Sequence, residues 1–168
     1  MLAPTIFLLG FYWTASSLLE EIARTAPDLD GQLAVIDFNP HVNEELRKRR
    51  IPVIYGDISH RETLVHAGID KAEVIVCCLS NTVLKGTSNL RLLREIREIN
   101  PHAKIIMHAE LFQDVPKLYA AGADYVSVPR LIEAKELRKV IEAALSGLIQ
   151  QKREELDTEL QKRKEVIP

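Results

Sequence analysis

Thr5-Ile6-Phe7-Leu8-Leu9-Gly10-Phe11-Tyr12-Trp13-Thr14-Ala15 decides the fold of this chain. An apolar run of strand length meets a glycine, and the next such run, residues 33–37, ends on Asp37, 22 residues beyond Ala15. Strand, glycine turn, helix, strand and carboxylate in that order make a dinucleotide-binding fingerprint. In the intact G-x-G-x-x-G pattern the first glycine makes the tight turn, the second lets backbone approach a pyrophosphate, and the third lets helix pack on strand. Here those positions hold Gly10, Tyr12 and Ala15. Alanine serves at the third, but a tyrosine at the second occupies space where phosphates sit above the helix N-terminus. Gly10, Phe11, Tyr12, Trp13, Thr14 and Ala15 are therefore candidate ligand-binding positions in an altered crevice. Tyr12 and Trp13 decide what fits: aromatics there either stack on a base or fill the cofactor's space. The steric reading favours an adenine mononucleotide, with its phosphate near Thr14, over a full dinucleotide.

Outward from this stretch, strand-length apolar runs alternate with helical patterns, which predicts an α/β fold, a Rossmann-like doubly wound parallel sheet. Six strands are expected near residues 5–9, 33–37, 52–55, 73–78, 104–108 and 124–127. Leu18, Leu19, Ile22 and Ala23 form one helical stripe and Leu90, Leu93, Ile96, Arg97 and Ile99 another. Asp30-Gly31, Gly56-Asp57, Gly68, Asn100-Pro101 and Gly122 supply turns at the expected boundaries. Residues 80–88 make a long loop at the sheet edge where ligands bind, a lid or a simple insertion, which makes Ser80 and Asn81 candidate contacts.

The expected division is a sheet domain over residues 1–129 and a long C-terminal helix with a charged helical tail over 130–168. Ala134, Leu137, Val140, Ile141, Ala144, Leu145, Leu148 and Ile149 keep a helical apolar stripe after the last strand, with Gly147 allowing a bend. That stripe packs on its own sheet or docks on a second copy. Residues 151–165 are mostly charged and read as a solvated helix, frayed at its end or leading into another component.

Composition bounds the function. The chain has 168 residues, 46% of them hydrophobic, and a net charge of -2. That balance offers no general attraction for nucleic acid or anionic lipid. Cys77 and Cys78 lie adjacent in an apolar run and read as reduced core residues. No apolar stretch reaches the ~18 residues that span a bilayer, so direct membrane insertion is not expected and a cytoplasmic setting is. Arg47-Lys48-Arg49-Arg50 ends a helix begun near Pro40, where cations complement the dipole. No Ser/His/Asp, Cys/His or tyrosine–lysine set stands at a catalytic spacing, which argues against an enzyme.

Asp37 stands where a carboxylate accepts both hydroxyls of an adenosine ribose; an exposed turn aspartate is the plainer alternative. Asp57 reads independently as the N-cap of a helix over 58–67. His108 and Glu110 end the fifth strand as two groups, too few for a metal site, so His108 reads as a structural or pocket-lining residue. His41, His60, His66 and His102 lie apart and are assigned to the surface.

Over residues 4–148 the sequence resembles the regulator-of-potassium-conductance family, also called the KTN or TrkA N-terminal domain, including domains attached to Kef-type antiporters. The carriers are residues 6–15, Val35-Ile36-Asp37-Phe38-Asn39-Pro40, Tyr55-Gly56-Asp57-Ile58, Ala67-Gly68-Ile69-Asp70-Lys71-Ala72 and residues 118–126. The resemblance implies a cytoplasmic ligand sensor that forms a homodimer, often a larger ring, and gates a membrane channel or antiporter. It implies an adenine nucleotide (AMP, ADP/ATP or NAD(H)) held by Asp37, Phe38 and Asn39, with Asp57 and Ile58 flanking the base. Asn39 departs from the second acidic residue often found in the family, and His108 from one of the acidic pair in its calcium-gated members. A small NAD(P)-dependent oxidoreductase, or a non-binding assembly domain with a plugged crevice, is the alternative.

Overall fold

A computed structural model describes residues 3–168. Six parallel strands, β1 (Ile6–Leu9), β2 (Leu33–Asp37), β3 (Val53–Tyr55), β4 (Val74–Val76), β5 (Lys104–His108) and β6 (Tyr125–Ser127), lie in the order β3-β2-β1-β4-β5-β6. Leu8 sits between Val35 of β2 and Val76 of β4, so β1 is central and the strand order reverses beside it. The helices are α1 (Trp13–Thr25), the single turn α2 (Pro27–Asp30), α3 (Pro40–Lys48), α4 (Arg61–Ala67), α5 (Asn89–Ile99), α6 (Asp114–Ala120), α7 (Pro129–Leu145) and α8 (Ile149–Lys162). This is the Rossmann-like architecture expected from the sequence.

Alternation along β1 divides the core. Phe7 and Leu9 join the larger cluster with Ile36, Leu64, Ile75, Leu93, Ile105 and Leu118. Leu8 faces the opposite cluster with Phe11, Leu19, Val35, Val42 and Leu46, beneath α1 and α3. On α1 the buried residues are Ala15, Ser16, Leu19 and Glu20; of the stripe expected, Leu19 is buried, Leu18 and Ile22 pack partly buried on the second cluster and Ala23 is exposed, while a serine and a glutamate take core-facing positions.

Three further expectations are corrected. The fourth helix begins at Arg61, three residues late, because Asp57 closes a turn instead: its Oδ1 accepts the Ser59 amide at 2.8 Å, and the His60 amide donates to the Asp57 carbonyl. The long C-terminal helix is two helices. Gly147, at φ +75°, ends α7 with the Leu148 amide bonded to the Ala143 carbonyl and the Gly147 amide to that of Ala144, a closure that requires left-handed backbone. Finally, residues 163–167 do not fray. They leave α8 extended and lie along α1 and α3, with Val166 and Ile167 packed on the second cluster.

Ala143 is the one buried residue of α7, so its apolar stripe is not covered by its own sheet; Leu145 is 86% exposed. The face of β4, β5 and β6 on the α1 side is also incompletely covered, with Val74, Val76 and Ile106 half-buried and Tyr125 exposed.

Candidate functional site

The crevice opens where the C-terminal ends of β1 and β2 diverge from β4, the topological switch point of a doubly wound sheet. A cavity of about 140 Å³ there is lined by Gly10, Phe11, Tyr12, Ile36, Asp37, Phe38, Asn39, Asp57, Ile58, Leu79, Val83, Leu84 and Lys85. Eight of these are residues singled out from the sequence. Ile36, Leu79, Val83, Leu84 and Lys85 were missed; for the last three the unusual length of the 80–88 loop was the signal. That loop folds over the crevice as a wall, with Leu84 packed on the main core.

Gly10 turns the chain out of β1 at φ +74°, and a Cβ there would stand 2.2 Å from Leu79 Cδ1. Asp37 is buried rather than an exposed turn residue, and it staples the two turns that form the crevice. Its Oδ2 accepts the Phe11 amide at 2.8 Å and its Oδ1 the Asn39 amide at 2.7 Å. Burial pushes its carboxyl above the usual range against the pull of those amides. Each oxygen retains acceptor capacity, since a carboxylate has about four lone-pair sites. Asn39 caps α3: its Oδ1 accepts the amides of His41 at 3.0 Å and Val42 at 3.5 Å. An aspartate at this position would serve the same cap. Burial raises the Asp57 carboxyl, but bonds from the Ser59 amide and hydroxyl outweigh it and leave it below the usual range.

Tyr12 and Trp13 stack on one another, centroids 4.7 Å apart, and are 38% and 61% exposed. Tyr12 reaches both the first cavity and its neighbour, a space of about 280 Å³ lined also by Trp13, Thr14, Cys78, Ser80, Thr82 and His108. The N-terminus of α1 between them carries no side-chain cap and no acidic residue in its first turn, so its amides face the crevice uncompensated. Ala15 lies in the core beneath, the packing role of the third fingerprint position.

Asn81 and His108 lie apart from the Asp37 cavity. Asn81 Oδ1 accepts the Asn89 amide at 2.8 Å and its Nδ2 at 3.1 Å, pinning the loop to α5. Both residues line a third cavity of about 390 Å³ with Ser88, Glu110, Asp114 and Lys117. His108 Nε2 is buried without a hydrogen-bond partner. Burial lowers the His108 pKa against the opposing pull of Glu110. A histidine depressed in the folded state contributes stability that is present above its unfolded value, near 6.5, and lost as pH falls through the folded one. Melting temperature is therefore expected to fall between pH 7 and 5, with a shallower slope in His108→Gln.

Among the described residues no group of three or more His, Cys, Asp or Glu side chains is placed to hold a metal ion. The Cys77 and Cys78 thiols are pushed up to about 12 and about 11 by burial, far from the thiolate form a nucleophile needs.

A six-stranded parallel sheet with a crevice at its switch point defines the class: a doubly wound, Rossmann-like α/β domain. The TrkA-N domain profile matches residues 6–129, and the chain belongs to that family. The glutathione-regulated potassium-efflux system protein KefC of Escherichia coli is 33% identical over 93 residues, 55% of this chain and 14% of KefC. The chain thus matches only a small part of that relative's length. Among solved structures, the TrkA-N domain of the Escherichia coli inner membrane protein ybaL superposes with a TM-score of 0.71 at 22% identity, covering 83% of this chain and 97% of that one. The GsuK channel bound to NAD gives 0.58 at 20% identity over 76% of this chain and 22% of GsuK. GsuK bound to ADP gives 0.62 at 24% identity over 83% and 34%. At these identities the superpositions establish the fold. No helix among the described residues is long and apolar enough to cross a membrane.

Proposed function

We propose that this chain is a ligand-sensing regulatory domain of a potassium channel or Kef-like cation/proton antiporter, acting at the cytoplasmic side through the geometry of a homodimer. The observation that carries the reading is the Asp37 cavity beside the uncapped N-terminus of α1. The free lone pairs of Asp37 accept the ribose hydroxyls of an adenine nucleotide, Ile58 and Leu79 pack on the base, and Phe38, Asn39 and Asp57 close its rim. Phosphate lies above the α1 amides near Thr14, with Lys85 as counter-charge. GsuK, a relative in fold, is known with NAD and with ADP. Residues 1–129 are the sensing unit and 130–168 the output arm. The exposed stripe of α7 and the part-open face of β4 to β6 are the surfaces a second copy covers. Ligand binding biases the dimer between arrangements by its differential affinity for them. The part is regulatory and non-catalytic: turnover of a reduced nicotinamide would count against it.

A thermal-shift series with AMP, ADP, ATP, NAD and NADH tests the reading. A nucleotide at 100 times its Kd raises stability by about 2.7 kcal/mol. The mononucleotides are expected to shift the wild type and NAD to shift Tyr12→Gly, which restores the fingerprint glycine. A NAD shift in the wild type would show that Tyr12 excludes nothing. No shift with any nucleotide would leave a domain that only assembles.

A further inference from the structure

Ser16 is fully buried and Glu20 nearly so, one helical turn apart on the face of α1 that meets the second core cluster. Polar groups at such positions cost stability unless each is hydrogen-bonded. Their partners lie almost 150 residues away in sequence. Ser16 Oγ accepts the Ile167 amide at 2.9 Å and donates to Glu165 Oε2 at 3.0 Å, while Glu20 Oε1 accepts the Lys164 amide at 3.0 Å. From the opposite side Arg49, just past α3, donates to the carbonyls of Lys164 at 2.6 Å and Glu165 at 3.0 Å. Arg163 donates to the Ser17 carbonyl at 2.7 Å and pairs with Glu21 at 3.0 Å and Glu165 at 2.6 Å. The groove between α1 and α3 thus reads an extended peptide by its main-chain amides and carbonyls, by one arginine, and by the apolar pair Val166 and Ile167.

What this segment secures is α8, none of whose own residues is buried. At one end α8 is joined to α7 through the Gly147 bend; at the other, residues 163–167 tie it to the sheet domain. We propose that residues 163–167 are a releasable clasp, an extended peptide seated between α1 and α3 that holds the α7–α8 arm on the helix that also opens the crevice. Opening the clasp frees α8 without disturbing the sheet. Closing it presents the exposed stripe of the arm in one orientation. The clasp stands on its own contacts and does not depend on the nucleotide reading. It belongs at the low end of local stability, because its anchors are hydrogen bonds and partly exposed ion pairs around two partly buried apolar side chains.

Hydrogen exchange on the full chain, without ligand, tests this against Arg163→Ala and against Ser16→Ala combined with Arg163→Ala. In the wild type the amides of Lys164 and Ile167 should exchange at least tenfold more slowly than in either variant. The amides of α8 should speed up by a similar factor in the variants, while those of β1 and β2 hold their rates. If β1 and β2 change in the double variant, the comparison is read from Arg163→Ala alone, which touches no core residue. Free exchange at Lys164 and Ile167 in the wild type overturns the proposal. So does an α8 whose rates are indifferent to the loss of its tether.

Discussion

Asp37→Ala is expected to destabilise the fold by about 2 kcal/mol and to abolish any response to adenine nucleotides. The first effect comes from the two amides the carboxylate accepts, Phe11 on the turn after β1 and Asn39 on the turn after β2. A buried donor left without its acceptor costs about 1–3 kcal/mol. Two such losses would exceed the estimate, but the crevice beside them admits water, and the variant no longer bears the desolvation of a buried charge. For a domain of this size the loss corresponds to a fall in melting temperature of about 4–8 °C. Asp37→Asn retains one acceptor oxygen, so it should recover part of the stability and none of the ribose recognition that needs two. The pH dependence separates the effects further. Because burial raises the folded pKa of Asp37, the folded state holds the proton more tightly than the unfolded one. That contribution is fully present below the unfolded value near 3.8 and is lost as pH rises through the folded value. The stability gap between wild type and Asp37→Asn should therefore widen in acid. A gap that narrows there would mean that the amides, and not burial, dominate the carboxyl.

The six strands were legible because each is a short apolar run bounded by turn residues, as strands buried on both faces of a parallel sheet are; their order came from the structure. Gly10 and Asp37 were legible as crevice residues because their offsets follow from the geometry of strand, turn and helix, and Ile58 only through the family resemblance. The roles of Asn39 and Asp57 were less so. Each is a short polar side chain that bonds either a ligand or a neighbouring amide, and local competition of that kind is decided by backbone angles that sequence does not display. Lys85 was hidden in a loop with no periodicity. The C-terminal segment was hidden for a different reason. Ser16 and Glu20 look like surface residues of an amphipathic helix, and the chain that buries them is remote in sequence, so only the assembled structure brings the two together.

Gly10→Ala is the substitution expected to cost most for the smallest chemical change, about 3 kcal/mol. Left-handed backbone at φ +74° penalises any Cβ, by about 1–2 kcal/mol. The added methyl would also stand 2.2 Å from Leu79 Cδ1 and 3.2 Å from Leu79 Cγ, so the leucine must move. Overpacking of this kind costs about 1–3 kcal/mol, with the lower end apt because the clash is with the far end of a side chain. Leu79 packs in the core and also walls the crevice, so its displacement is not absorbed silently. A leucine driven out of the core enters the nucleotide space, and the variant should lose affinity along with stability. Gly31→Ala calibrates the measurement: Gly31 has φ −69° and open space where its Cβ would lie. There the alanine should be neutral or stabilising by about 0.4–1 kcal/mol, through the entropy it removes from the unfolded chain. A melting temperature for Gly10→Ala equal to that of Gly31→Ala would mean that the turn after β1 relaxes freely. In that case the first fingerprint glycine would not be what holds this crevice open.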